Sequence, residues 1–189
     1  MRQQRGFSLM ELLIVVAIIL IVSAIAIPNV MRARIKANES SAVGSIRNIV
    51  TAERSYETAY PQYGFAATLA ILGPNGGPGC PAGPVATVGA CLLDSTLGGA
   101  AISAKSGYIF EAMGSSPGPP DPVSGLAALT DYTASAAPVN FNQTGIRAFC
   151  SGSDGVLRQN PNTGGGIVGA QNFAPWQATC SAVPWIVLQ

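Results

Sequence analysis

Histidine is absent from the 189 residues, and charged side chains make up only 10% of them. Without imidazole, neither a Ser-His nor a Cys-His nucleophile pair can be assembled, so hydrolytic chemistry of that type is excluded. The few carboxylates after the first third of the chain, Asp94, Glu111, Asp121, Asp131 and Asp154, are scattered singly, which suits turns and surfaces better than an acid/base couple. The four cysteines, Cys80, Cys91, Cys150 and Cys180, contain no C-x-x-C pair, and with no histidine to join them a zinc site is not expected. Net charge is +1, so there is no electrostatic case for nucleic acid or for an acidic substrate. Aromatics are sparse at 7%. Phe7, Tyr56, Tyr60 and Tyr63 at that density read as packing residues, not as an electron-hopping track. No internal repeat is visible. The chain is expected to be no enzyme and to carry no cofactor and no metal.

What is abundant is apolar surface, 48% of the residues, concentrated at the start. A short basic head with Arg2 and Arg5 meets the junction Gly6-Phe7, and an apolar run extends from there to Ile27. That length suits a bilayer span of about 20 residues. One carboxylate, Glu11, stands inside the run. An ionised group there is costly unless something pairs with it. Two plain templates compete for this stretch. An ordinary secretory signal would use Ala24-Ile25-Ala26 as its cleavage site, but Glu11 then falls in the h-region and Pro28 just past the cut. A plain transmembrane anchor fits the length and leaves Glu11 unexplained. Arg2 and Arg5 favour a cytoplasmic N-terminus under the positive-inside rule, whereas Arg32, Arg34 and Lys36 beyond the run oppose it.

The pattern from Phe7 to about Tyr60 is helical throughout. Its first half is apolar all round. In its second half Ile35, Ala42, Ile46, Ile49 and Tyr56 recur near helical spacing, with Arg47 and Arg54 on another face, so this half should lie on a sheet. Pro28 is expected to kink the helix and Gly44 to loosen it. Pro61 ends it. Roughly fifty helical residues would measure about 75–80 Å, more than a small globular domain needs. Residues 61–105 read as a connector, with a short helix over Phe65–Leu72 stopped by Gly73 and a Gly/Pro-rich loop after it. Strands are expected over Tyr108–Met113, over Tyr132–Ala136 after a Pro/Gly-rich break at Ser115–Pro122, and over Ile146–Cys150 and Val156–Arg158 around an Asp154-Gly155 hairpin turn. Trp176 and Trp185 in the tail are candidates to cap the core. An even cysteine number outside the cytosol reads as two disulfides. Of three possible pairings, Cys80–Cys91 and Cys150–Cys180 are the most local.

The segment Arg5-Gly6-Phe7-Ser8-Leu9-Met10-Glu11 with its apolar run resembles the class III signal of type IV prepilins and of type II secretion pseudopilins. The later stretch from Thr144 through Arg158 looks like the sheet of their globular domains. The resemblance implies an α+β pilin fold, in which a long N-terminal helix packs on a small antiparallel sheet. Residues 1–6 would be the leader, 7–27 the transmembrane and filament-core helix, 28–60 its amphipathic half, 61–105 the αβ-loop connector and 106–189 the disulfide-bonded head. It also implies cleavage after Gly6 by a prepilin peptidase in the membrane, N-methylation of Phe7 and an assembly and register role for Glu11. The chain would then be a subunit of a homo-oligomeric helical filament built by a pilus assembly platform. It would sit in the inner membrane with a cytoplasmic N-terminus before joining a surface filament that serves adhesion, motility or secretion. A type II secretion pseudopilin and a minor tip pilin with a binding role are the alternatives. Major pseudopilins carry calcium in a C-terminal loop, and the acidic pattern this needs around Asp121 or Asp154 is not found here.

Overall fold

The computed structural model of the protein describes residues 8–74, 80, 86–120, 127–160, 180 and 185–188. The chain divides into two compact units, Met1–Arg34 and Ile35–Gln189. The first consists, where described, of the opening turns of helix α1, Leu9–Ala59, which contains Pro28 without a break in its assignment. The helix stops two residues before Pro61, although the Tyr60 amide still donates to the Tyr56 carbonyl. Proline cannot supply the next helical N–H, so the ladder ends there.

In the second unit α1 is followed by two single-turn helices, α2 (Leu69–Leu72) and α3 (Ser95–Gly98), and six strands. These are β1 (Ile102–Lys105), β2 (Tyr108–Pro120), β3 (Ala127–Pro138), β4 (Ala148–Gly152), β5 (Arg158–Asn160) and β6 (Ile186–Val187). They form one antiparallel sheet in sequence order, so an α+β fold with a long N-terminal helix and a small antiparallel sheet is what the chain adopts. Ala42, Ile46, Ile49, Ala52 and Tyr56 of α1 are buried in one cluster with Tyr108, Phe110, Tyr132 and Phe149 of the sheet. Across the sheet large residues face small ones, Phe110 opposite Ala136 and Ala136 opposite Phe149. That alternation lets α1 approach closely over the middle strand. The opposite face of the sheet has a second cluster, Ala148, Cys150, Cys180 and Trp185. Its members on β4 alternate with Phe149, as a strand's period of two requires. Trp176 lies outside the described residues.

Several expectations need correction. The range 61–105 is not connector throughout, because it holds α3 and the whole of β1. The Ser106-Gly107 pair between β1 and β2 has φ of 50° and 73°, and Lys105 pairs directly with Tyr108. This is a two-residue hairpin turn needing two left-handed residues, which the sequence Ser-Gly signals only weakly. The break expected at Ser115–Pro122 is partly strand, since β2 runs to Pro120 against Leu129 and Ala127 with a register shift. β1 pairs only as far as Glu111, and among the described residues no strand pairs with β2 beyond it on that side, so proline's missing N–H costs no ladder bond there. β4 starts at Ala148 and not Ile146, because the amides of Ile146 and Arg147 donate to the Glu39 carboxylate at 3.1 Å each. Similarly β5 starts at Arg158, since the Val156 amide is taken by Asp154 Oδ1. The short helix expected over Phe65–Leu72 is confined to its last turn.

Glu53 is fully buried on the core face of α1. Its Oε2 accepts from the Ala66 amide at 2.9 Å, and Oε1 has no hydrogen-bond partner among the described residues. Burial pushes its carboxyl up to about 8, against which the Ala66 bond acts only in part. Unfolded, the group titrates near 4.5. Between those values the folded chain holds a proton that the unfolded chain has lost, so stability is full at the acid end and declines as pH rises toward 8. Asp154, held below its usual range by Arg158, acts in the opposite sense and only at lower pH. Unfolding of the detergent-solubilised chain at pH 5 and pH 8 should therefore differ by a few kcal/mol, with the acid side more stable. Glu53→Gln should flatten the difference. A pH dependence unchanged in that variant would contradict the assignment.

Candidate assembly surface

The first unit presents a problem that its own residues do not solve. From Leu9 (76% exposed) through Val16 (45%, the most covered) to Met31 its large apolar side chains are all open. They point in every direction around α1. By length and composition it is the one described helix apolar enough to cross a membrane, with a mean hydropathy of 3.0 over its best window. A helix apolar all round is stable only against lipid or other protein.

Glu11 is the sole charged residue between Phe7 and Met31 and lies exposed in the first turn of α1. The Ser8 carbonyl accepts from the amides of Glu11 and Leu12 at 3.1 and 3.3 Å. The helix therefore begins right at Ser8. A carboxylate in a first turn faces the unsatisfied N–H groups and the positive end of the helix dipole. Ser8-x-x-Glu11 also has the spacing of a capping box, a signal already present in the sequence. Glu11 is exposed and thus available to a cation from elsewhere. Gly6 and Phe7, the expected cleavage and methylation positions, lie outside the described residues. Pro28 is exposed on α1.

The remaining candidates belong to the second unit. Cys80 is bonded to Cys91 and Cys150 to Cys180, with Cα separations of 5.7 and 6.0 Å. The second bridge ties the tail to β4 beside Trp185. Among the described residues no group of three His, Cys, Asp or Glu side chains lies together. Asp154 is engaged by Arg158 at 2.6 Å, and Asp121 lies outside the described residues. Tyr56 and Tyr60 are ring neighbours at 5.1 Å, and the Tyr56 hydroxyl donates to the Ala86 carbonyl, as packing residues do. A residue missed by the sequence reading is Glu39, 5% exposed. Besides the two amides it accepts from Arg147 Nε at 2.9 Å and Nη2 at 2.5 Å. Its signal was its position, seven residues before Ile46 on the apolar face of α1, with Glu53 seven residues after.

Comparison with known proteins meets this surface directly. Residues 1–27 match the family described as the prokaryotic N-terminal methylation motif. Two curated relatives extend the likeness. The type IV major pilin protein PilA of Myxococcus xanthus is 37% identical over 75 residues, and the type IV wide pilus major component PilA4 of Thermus thermophilus is 42% identical over 57 residues. Over its N-terminal part the chain is similar to type IV pilins. The matched stretches cover 40% and 30% of this chain, and only 34% and 44% of the respective relatives. No solved structure matches. The second unit is thus read from its own geometry.

Proposed function

We propose that this chain is a type IV pilin, a structural subunit of a type IV pilus or pilus-like surface filament. The observation that carries the reading is the wholly exposed apolar helix of the first unit with one carboxylate in its first turn. In the inner membrane, the helix over residues 7–27 is inserted in the bilayer with the N-terminus cytoplasmic. A prepilin peptidase removes residues 1–6 after Gly6, and Phe7 is N-methylated. An assembly platform then moves the helix from lipid into a bundle of copies, where the same apolar surface is covered by neighbours. Small residues at Ala17, Ala24 and Ala26 permit close packing. Glu11 meets the Phe7 amine of an adjacent copy, which neutralises both charges and sets axial register. Pro28 adjusts the helix where it leaves the core. The two disulfides hold a Gly- and Pro-rich head that faces solvent. Both named relatives are described as major components, which favours an abundant subunit over a tip protein.

Filaments sheared from the cell surface test this. Intact-mass measurement should find this chain as a dominant species, beginning at Phe7 and one methyl group heavier than the unmodified sequence. A start at Ile27, after Ala24-Ile25-Ala26, would mean ordinary signal cleavage and loss of the helix on which assembly depends.

A further inference from the structure

We propose that Arg32 and Arg34 form a cationic collar that binds the phosphate of anionic phospholipid headgroups on the outer face of the inner membrane and fixes the depth of the inserted subunit. The inference rests on the membrane-inserted stage of the function proposed above. Leu12–Met31, 20 residues, carries no charged side chain. At 1.5 Å per residue that stretch spans about 30 Å, the thickness of a bilayer's hydrocarbon core. Glu11 then stands at one boundary and Arg32 at the other.

Both arginines are exposed on α1, and among the described residues no carboxylate lies within ion-pair distance of either. The nearest acids along the sequence are Glu11 and Glu39, and Glu39 is already held by Arg147. Two residues apart on a helix, the side chains emerge on nearly opposite sides. That arrangement suits a ring of separate headgroups, whereas a protein groove would need both on one face. Guanidinium matches phosphate with paired N–H donors, and its apolar stem can lie along the acyl region. Lys36, one turn beyond Arg32 in the sequence, adds a third charge of the same sign. Positive residues on the translocated side work against insertion. Headgroup binding gives them a use there.

The test is full-length protein in phosphatidylcholine bilayers doped with spin-labelled phosphatidylglycerol or spin-labelled phosphatidylcholine. Electron paramagnetic resonance reads the fraction of each lipid immobilised by the protein. The anionic lipid should be preferred roughly fivefold per contacted arginine. The preference should weaken in high salt, and fall in Arg32→Gln/Arg34→Gln. Arg2 and Arg5 at the other interface are unchanged in that variant, so the difference isolates the collar. Equal immobilisation of both lipids by the wild type, or a preference undiminished in the variant, overturns the collar while leaving the span intact. No immobilised fraction of either lipid overturns the span, and with it the collar.

Discussion

Glu39→Ala is expected to destabilise the folded head by about 3 kcal/mol, the largest single-residue effect outside the apolar core. Glu39 is one of the few polar residues that α1 buries, and four hydrogen bonds converge on its two oxygens. Two come from the backbone amides of Ile146 and Arg147 and two from the Arg147 guanidinium. Removing the carboxylate leaves those amides without this acceptor and the guanidinium without its counter-charge. Arg147 is 38% exposed, bonds Gln159 at 2.8 Å and lies over the Phe149 ring, so water and these neighbours recover part of the loss. Glu39→Gln should cost less, because an amide oxygen still accepts from the backbone. Arg147→Lys keeps the charge but not the two-pronged geometry, and should fall between wild type and Glu39→Ala. Chemical denaturation of the detergent-solubilised protein, followed by tyrosine and tryptophan near-ultraviolet dichroism, ranks the three. A Glu39→Ala variant as stable as wild type would show that the core alone sets α1 on the sheet.

The helix was readable because its signal is long: an apolar run, a switch to a face of Ala42, Ile46, Ile49 and Tyr56, and a proline to stop it. Strand cores were readable from alternation, as in Tyr108–Met113. Strand ends were not, since they depend on which distant group takes an amide. Ile146 looked like strand because its side chain is β-branched, yet its N–H belongs to Glu39, more than a hundred residues away in the chain. Pro117 and Pro120 looked like breakers, yet a strand edge to which no strand pairs among the described residues tolerates them. β1, at four residues, was too short to stand out beside a turn as plain as Ser106-Gly107. In the assembly surface, the oddness of Glu11 was plain from the sequence. The capping-box spacing of Ser8 and Glu11 is equally plain in the sequence, although it is overlaid by the membrane-length apolar run.

Glu11→Leu is expected to leave membrane insertion and head folding intact while reducing filament yield by more than tenfold. If apolar burial alone drove bundling, leucine would be an improvement, since it extends an apolar surface and removes a charge that is costly to bury. Loss of filaments would therefore come from the missing partner of the neighbour's Phe7 amine, left charged in a low-dielectric core. Glu11→Gln separates this from local capping. Glutamine serves a capping box as glutamate does, so a capping role predicts nearly normal filaments from the Gln variant, whereas charge neutralisation predicts impairment close to that of Leu. The decisive measurement is the ratio of sheared-filament protein to membrane-retained protein in cells whose only copy is wild type, Glu11→Gln or Glu11→Leu. A collapse of the ratio in both variants, with membrane levels unchanged, is the expected result. A wild-type ratio from Glu11→Leu would contradict assembly through this carboxylate.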